Sequence, residues 1–484
     1  MTSTIIGSGS VRGVAGVTVF RGVPYASAGR FGSPRPTTGW HGERDATRHG
    51  PIAPQPPSRL RTAMGDFSRP QDEDCQSLTI ATPAADGGKR AVIVFLHGGA
   101  YLSGAGSLDW YDASTLARDG DVVVVGVNYR LGALGFLHLP GVAEGNMGLQ
   151  DMVVALQWVR DHIAAFGGDP DNVTVMGQSA GAHAIMCLLT MWNTQGLFHR
   201  AILQSPPPML APQSRAVARD HAMQLCAALK VAPEQLADVP VADLLVAQMQ
   251  VARAIARFGE IAPPFLPVFD AMADPERFIQ AAATEAAARQ VDMIIGTTRE
   301  EMHAFLAADP AMNPPDPEAL AERFAALSGS ADTIALYRRR RPGGNDMDLL
   351  ADLLTDHRFL FPALALADAV TRAGARAWTY QFDWAPADSI FKACHCIELP
   401  FLFGNFAAWG AAPMLAGGKR AEMEGLSAAM RAAWVEFAET GDPHAPGLLW
   451  PPYRAGLRQT MLFGSVVGVV GDPSGAAWRG GVGA

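Results

Sequence analysis

From Ala91 onward the chain alternates short, nearly continuous apolar runs with longer stretches whose apolar positions recur every three to four residues. The runs are too short for helices and too uniformly apolar for strands with a wet face, which predicts the strands of a parallel sheet covered on both sides. Such strands are expected at Ala91–His97, Asp121–Tyr129, Asn172–Met176, Arg200–Gln204, Val291–Gly296 and Ala377–Phe382. Gly148–Phe166, with apolar residues at 152, 153, 156, 159 and 163, has the spacing of a helix with one buried face. Helical stretches at Ser214–Phe258 and Pro317–Ala373 read as cap insertions, near 210–260 and 315–375. The first ninety residues are rich in Pro and Gly, with β-like pieces such as Val17–Phe20 and a loop from Pro54 to Asp74. The expectation is an α/β fold with a central, mostly parallel sheet, helices on both faces and helical insertions. No repeat or composition break divides residues 1–484, so a single domain is expected.

Composition narrows the function. Apolar residues make up 49% and charged residues 18% of 484, which excludes disorder for the bulk of the chain. A net charge of −9 without a basic stripe argues against nucleic acid. No apolar run approaches the roughly 20 residues of a membrane helix. The segment Met1–Gly7 lacks the basic and apolar regions of a secretion signal, so a cytoplasmic location is expected. Five cysteines without framework spacing fit free thiols in a reducing compartment.

The chemistry centres on Gly177-Gln178-Ser179-Ala180-Gly181. This segment follows the β-branched run Val173-Thr174-Val175 and precedes a helix-like stretch, the strand, sharp turn and helix of a nucleophile elbow. A serine hydroxyl attacks only when a base takes its proton, so a histidine and an acid are required further along the chain. His303, His357 and His444 fall beside a strand, in a helix and in a surface turn; His395 falls in a loop after the sixth strand, where α/β enzymes present catalytic groups. Its flanking Cys394 and Cys396 are too close in one loop to share a metal with it. Glu301, just past the fifth strand, is the expected acid, with Asp356 as the alternative and Glu300 read as a solvent-facing glutamate at a helix start. His97-Gly98-Gly99-Ala100 follows the first long strand and would supply oxyanion donors at Gly99, Ala100 and Ala180, with His97 orienting the loop.

Beyond these residues the chain resembles the type-B carboxylesterase family over nearly its whole length, and most of all its bacterial para-nitrobenzyl esterases. The resemblance is carried by Phe20-Arg21-Gly22-Val23-Pro24-Tyr25-Ala26, Glu73-Asp74-Cys75, Asn128-Tyr129-Arg130-Leu131-Gly132, Ala165-Phe166-Gly167-Gly168-Asp169-Pro170 and Glu398-Leu399-Pro400-Phe401. It implies an α/β-hydrolase fold, a triad of Ser179, Glu301 and His395, and an accessory active-site serine at Ser205. It also implies structural ion pairs joining Arg30 to Glu73 and Arg130 to Asp151.

Several positions depart from the family pattern. Gln178 stands where Glu is common, and Met302 replaces the usual Gly after the acid. Ala53 occupies the place of a disulfide cysteine, which leaves Cys75 without its partner, and no tryptophan lies between Trp40 and Trp110 to hold a choline. These departures point away from cationic substrates. The expectation is a monomeric serine esterase acting on uncharged small-molecule esters, with carbamates, amides or thioesters as alternatives. It needs no metal or cofactor and has no nucleic-acid or membrane partner. The Gly-Gly-Ala loop further implies acceptance of bulky tertiary alcohols, with Gly99→Val expected to crowd the oxyanion hole.

Overall fold

The computed structural model describes residues 2–6, 9–13, 17–257, 259, 261–308 and 317–473. Ten strands make one sheet: β1 (Thr18–Pro24), β2 (Ser77–Thr82), β3 (Arg90–Leu96), β4 (Val123–Val127), β5 (Gly168–Gln178), β6 (Arg200–Gln204), β7 (Asp292–Thr298), β8 (Ala377–Phe382), β9 (Gln459–Phe463) and β10 (Val467–Gly471). Their order is β10-β9-β8-β7-β6-β5-β3-β4-β2-β1. Neighbours from β4 to β9 pair in parallel, and the pairs at the two ends are antiparallel. The six expected strands fall on β3 to β8, two of them residue for residue. The sequence pattern does not predict β2, β9 or β10.

Alternation along the strands feeds two cores. On β3, Val92, Val94 and Leu96 enter one, while Ala91, Ile93 and Phe95 enter the other. Because both faces are covered, the middle of β3 is apolar at successive positions, which is why its sequence reads as a run. The first core is closed by α1 (Met147–His162), α2 (Ala180–Leu189), α3 (Arg215–Leu229), α4 (Val241–Ile255) and α5 (Pro275–Ala288). A smaller core gathers α6 (Pro317–Ser328), α7 (Thr333–Arg340) and α8 (Asp346–Thr355) around Met302 and Leu306, just past β7. α9 (Phe361–Ala373) returns to the first core, and α10 (Arg420–Thr440) packs into the second. Helices α3, α4 and α6 to α9 fall in the two stretches with helical spacing, although Phe258, Glu260 and residues 315–316 at their ends are outside the described residues.

Both expected ion pairs form. Arg130 holds Asp151 at 2.8 Å in the interior, and Arg30 Nε donates to Glu73 at 2.9 Å. Cys75 is buried with a free thiol. Among the described residues no helix is long and apolar enough to cross a membrane.

Candidate active site

β5 runs into α2 through Ser179, whose φ of 55° and ψ of −117° are strained for a residue with a side chain. The turn is held by Ser179 N donating to Gln204 O at 2.8 Å and by His183 N donating to Ser179 O at 2.9 Å. Only glycine fits at 181, because a Cβ there would overlap the Leu96 carbonyl. The strain leaves the Ser179 side chain half-buried at the N-terminus of α2, on the wall of a cavity.

The loop after β3 forms a second wall. Gly99, Ala100 and Tyr101 all have positive φ (111°, 55° and 57°), which bends the backbone toward the turn. Among the described residues, the N–H groups of Gly99, Ala100 and Ala180 donate to no protein acceptor, and all three residues line the cavity. His97 is stacked on Tyr129 with ring centres 4.2 Å apart, and its Nδ1 donates to Gly98 O at 2.8 Å. Burial lowers its pKa to about 4, so it stays neutral and serves the loop. One expectation needs correction: a Cβ on Gly99 would strike the Ser103 carbonyl, so a valine there would break the loop rather than fill the oxyanion space. Gly98 is the residue whose absent Cβ keeps the side of Ser179 clear.

His395 enters from the far end of the chain and lines the same cavity. Its Nδ1 donates to Glu301 Oε2 at 2.5 Å, and Glu301 Oε1 accepts from Thr298 N at 2.8 Å, so both carboxylate oxygens are engaged. Both side chains are buried. At the other ring nitrogen, Nε2 lies 3.2 Å from the Gln178 amide nitrogen. An amide N–H there requires an unprotonated Nε2, the tautomer a general base needs. Phe305 and Phe359 flank the ring.

Two readings of acidic residues are corrected. Glu300 does not face solvent: it is 6% exposed, accepts from Ala393 N at 3.1 Å and is paired with Arg341 at 2.8 Å. Asp356 is buried against Tyr337, whose hydroxyl donates to it at 2.7 Å, and against Arg340. The imidazole of His395 pairs instead with Glu301. Ser205 is buried, has a φ of 47° and does not line the cavity; its hydroxyl has no partner among the described residues. Nearby, Glu398 is fully buried, and desolvation together with the Glu301 charge raises its pKa to about 8.

Sequence reasoning did not reach the cavity walls. Met64, Phe67, Leu108, Trp110 and Ile261 make them mostly apolar, and Arg59 adds a cation. These residues come from loops and single helical turns too short to show a period, and Arg59 is one of three arginines in the stretch 54–74, so nothing in the sequence marks it out.

A strand, a strained turn and a helix, met by an imidazole returning from the last third of the chain, define the α/β-hydrolase class. The profile of the Carboxylesterase family matches residues 3–465, and the chain belongs to that family. It is 36% identical over 479 residues to the para-nitrobenzyl esterase of Bacillus subtilis (strain 168), a match covering 96% of this chain and 95% of that one. Over 458 residues it is 39% identical to a Rhodococcus erythropolis protein named "Probable N-octanoylanthranilate hydrolase AqdA2", covering 92% and 94%. Carboxylesterase EST55 of Geobacillus stearothermophilus superposes over 100% of each chain, with a TM-score of 0.85 at 34% identity. The chain is a serine carboxylic-ester hydrolase acting on small-molecule esters.

Proposed function

We propose that Ser179 is the nucleophile, His395 the base and Glu301 the acid that orients it. Ser179 Oγ attacks the ester carbonyl while its proton passes to His395 Nε2, and Glu301 stabilises the imidazolium that results. The carbonyl electrons move to oxygen, where the N–H groups of Gly99, Ala100 and Ala180 receive the negative charge. His395 then protonates the departing alkoxide, and water admitted to the acyl-enzyme repeats the sequence with Ser179 as leaving group. Gln178 acts as an accessory residue whose amide holds the resting imidazole and must yield Nε2 to the hydroxyl. Ser205 is an accessory serine behind the turn. The observation that carries this reading is the buried 2.5 Å Glu301–His395 bond opening onto the cavity that holds Ser179.

The apolar walls favour esters whose body is aliphatic or aromatic, and an oxyanion loop with no side chain at Gly98 or Gly99 favours bulky tertiary alcohols. We read the chain as one catalytic domain, monomeric and cytoplasmic. A second reading, hydrolysis of amides or carbamates by the same residues, is favoured by the relative named for N-octanoylanthranilate. Rates on p-nitrophenyl esters of increasing acyl length, beside tert-butyl acetate, an aryl carbamate and an N-acyl anthranilate, test the proposal. Ester turnover should dominate; turnover of the amide alone would reverse the two readings.

A further inference from the structure

Among the described residues lining the cavity of Ser179, Arg59 is the one that is permanently charged. Its Nη2 donates to the Ile261 carbonyl at 2.9 Å, across the cavity wall. Among the described residues no carboxylate pairs with it. Other arginines of the molecule behave differently: Arg69 is matched by Asp109, Arg30 by Glu73, and Arg341 by both Asp352 and Glu300. Arg59 is open to the solvent in the cleft yet walled by protein, and that surrounding lowers its pKa. The remaining guanidinium N–H groups form a planar fork of the shape that receives a carboxylate through two parallel bonds.

We propose that Arg59 is a specificity residue, and that the cavity takes esters carrying a carboxylate on the acyl or alcohol part, remote from the scissile bond, which the Arg59 guanidinium receives. The proposal rests on the ester-hydrolase reading of the cavity and sharpens it: the apolar walls hold the body of the substrate, and the single cation holds its charged end. In this account the Ile261 carbonyl orients the guanidinium. The competing account makes Arg59 a latch that joins two loops and has no preference among substrates.

Matched pairs of esters separate the two. The acyl arm compares 4-nitrophenyl hydrogen adipate with methyl 4-nitrophenyl adipate. The alcohol arm compares the butyrate of 3-(4-hydroxyphenyl)propionate with that of its methyl ester. For each arm the quantity is the anionic-to-neutral ratio of kcat/KM, in the wild type, R59M, R59K and R420M. Charge-assisted hydrogen bonds of this kind are worth about 1.5–3 kcal/mol, so R59M should lower the ratio by about tenfold or more in one arm. R59K should retain part of the preference, as a point charge lacking the fork. R420M removes a surface charge paired with Glu424 and should leave the ratio at its wild-type value. The arm that responds tells which end of the substrate meets Arg59. An R59M ratio equal to that of the wild type in both arms, whether rates fall together or not at all, overturns the proposal in favour of the latch. Failure of the wild type to hydrolyse either neutral ester would instead remove the hydrolase reading, and this proposal with it.

Discussion

The two halves of the site are held by different physics. The Ser179 half is built from backbone: a strained turn between β5 and α2, glycines that admit close approach, and a helix whose residues are all buried. The His395 half is a loop gripped through side chains by the second insertion. Lys392 and Cys396, three residues before the base and one after it, both have positive φ. The loop is held there by Glu300 on Ala393 N, by Lys392 on Asp348, and by Arg341 bridging Glu300 and Asp352. Asp348, Asp352 and Asp356 follow at i, i+4 and i+8 from α8 into the turn after it, and each meets a basic partner. Packing thus fixes the nucleophile and charge fixes the base, which implies that volume changes disable the first half while charge changes loosen the second.

The largest effect should come from Gly181→Val. Its side chain would displace the Leu96 carbonyl at the centre of the sheet, so the variant should lose all activity together with its cooperative urea transition. Retention of a wild-type transition would show that the turn is not fixed by that approach.

Within the second half, Glu301→Gln should cut kcat by about 10⁴-fold, the size of loss seen when a triad carboxylate becomes an amide. Asp356→Asn should do the opposite: a small change in kcat, but a loss of stability of about 1–3 kcal/mol from the half-buried Arg340 charge left without its partner. Steady-state rates and urea melts on the pair check the contrast, and a reversed ranking would move the acid to Asp356.

Glu300→Gln keeps an acceptor for Ala393 N but removes the charge facing Arg341, so it should lower kcat between about tenfold and a hundredfold through misplacement of the loop. Circular dichroism should be unchanged. An unaltered kcat would mean that the insertion covers the loop without positioning it.

The smallest effect concerns pH. Glu398 has a pKa raised to about 8 in the fold against 4.5 when unfolded, so between those values the unfolded chain binds fewer protons than the native one. Stability must then fall as pH rises through that window. Glu398→Gln should flatten this slope in melts recorded from pH 5 to 8, and an identical slope would mean that Glu398 is ionised in the fold.

The same contrast explains what the sequence reveals. The strands β3 to β8 and the turn at Ser179 are legible because burial on both faces writes itself as apolar runs and the turn demands glycines at fixed offsets. Strand β2, Ser77–Thr82, alternates Ser77 and Thr79 with Leu78 and Ile80 and so offers no apolar run. The burial of Glu300 is invisible because its partner Arg341 lies 41 residues away in an insertion. Glu301 and His395, 94 residues apart, could be named from their places after strands, but not their bond. The cavity walls are hidden for the same reason: Arg59 and Ile261 meet across 202 residues of chain.

The most direct measurement of the central claim is covalent labelling by a fluorophosphonate, followed by mass mapping of the adduct. The account predicts one label per chain, on Ser179, with loss of turnover in proportion and no label in Ser179→Ala. A label on Ser205, or turnover that survives in Ser179→Ala, would contradict it.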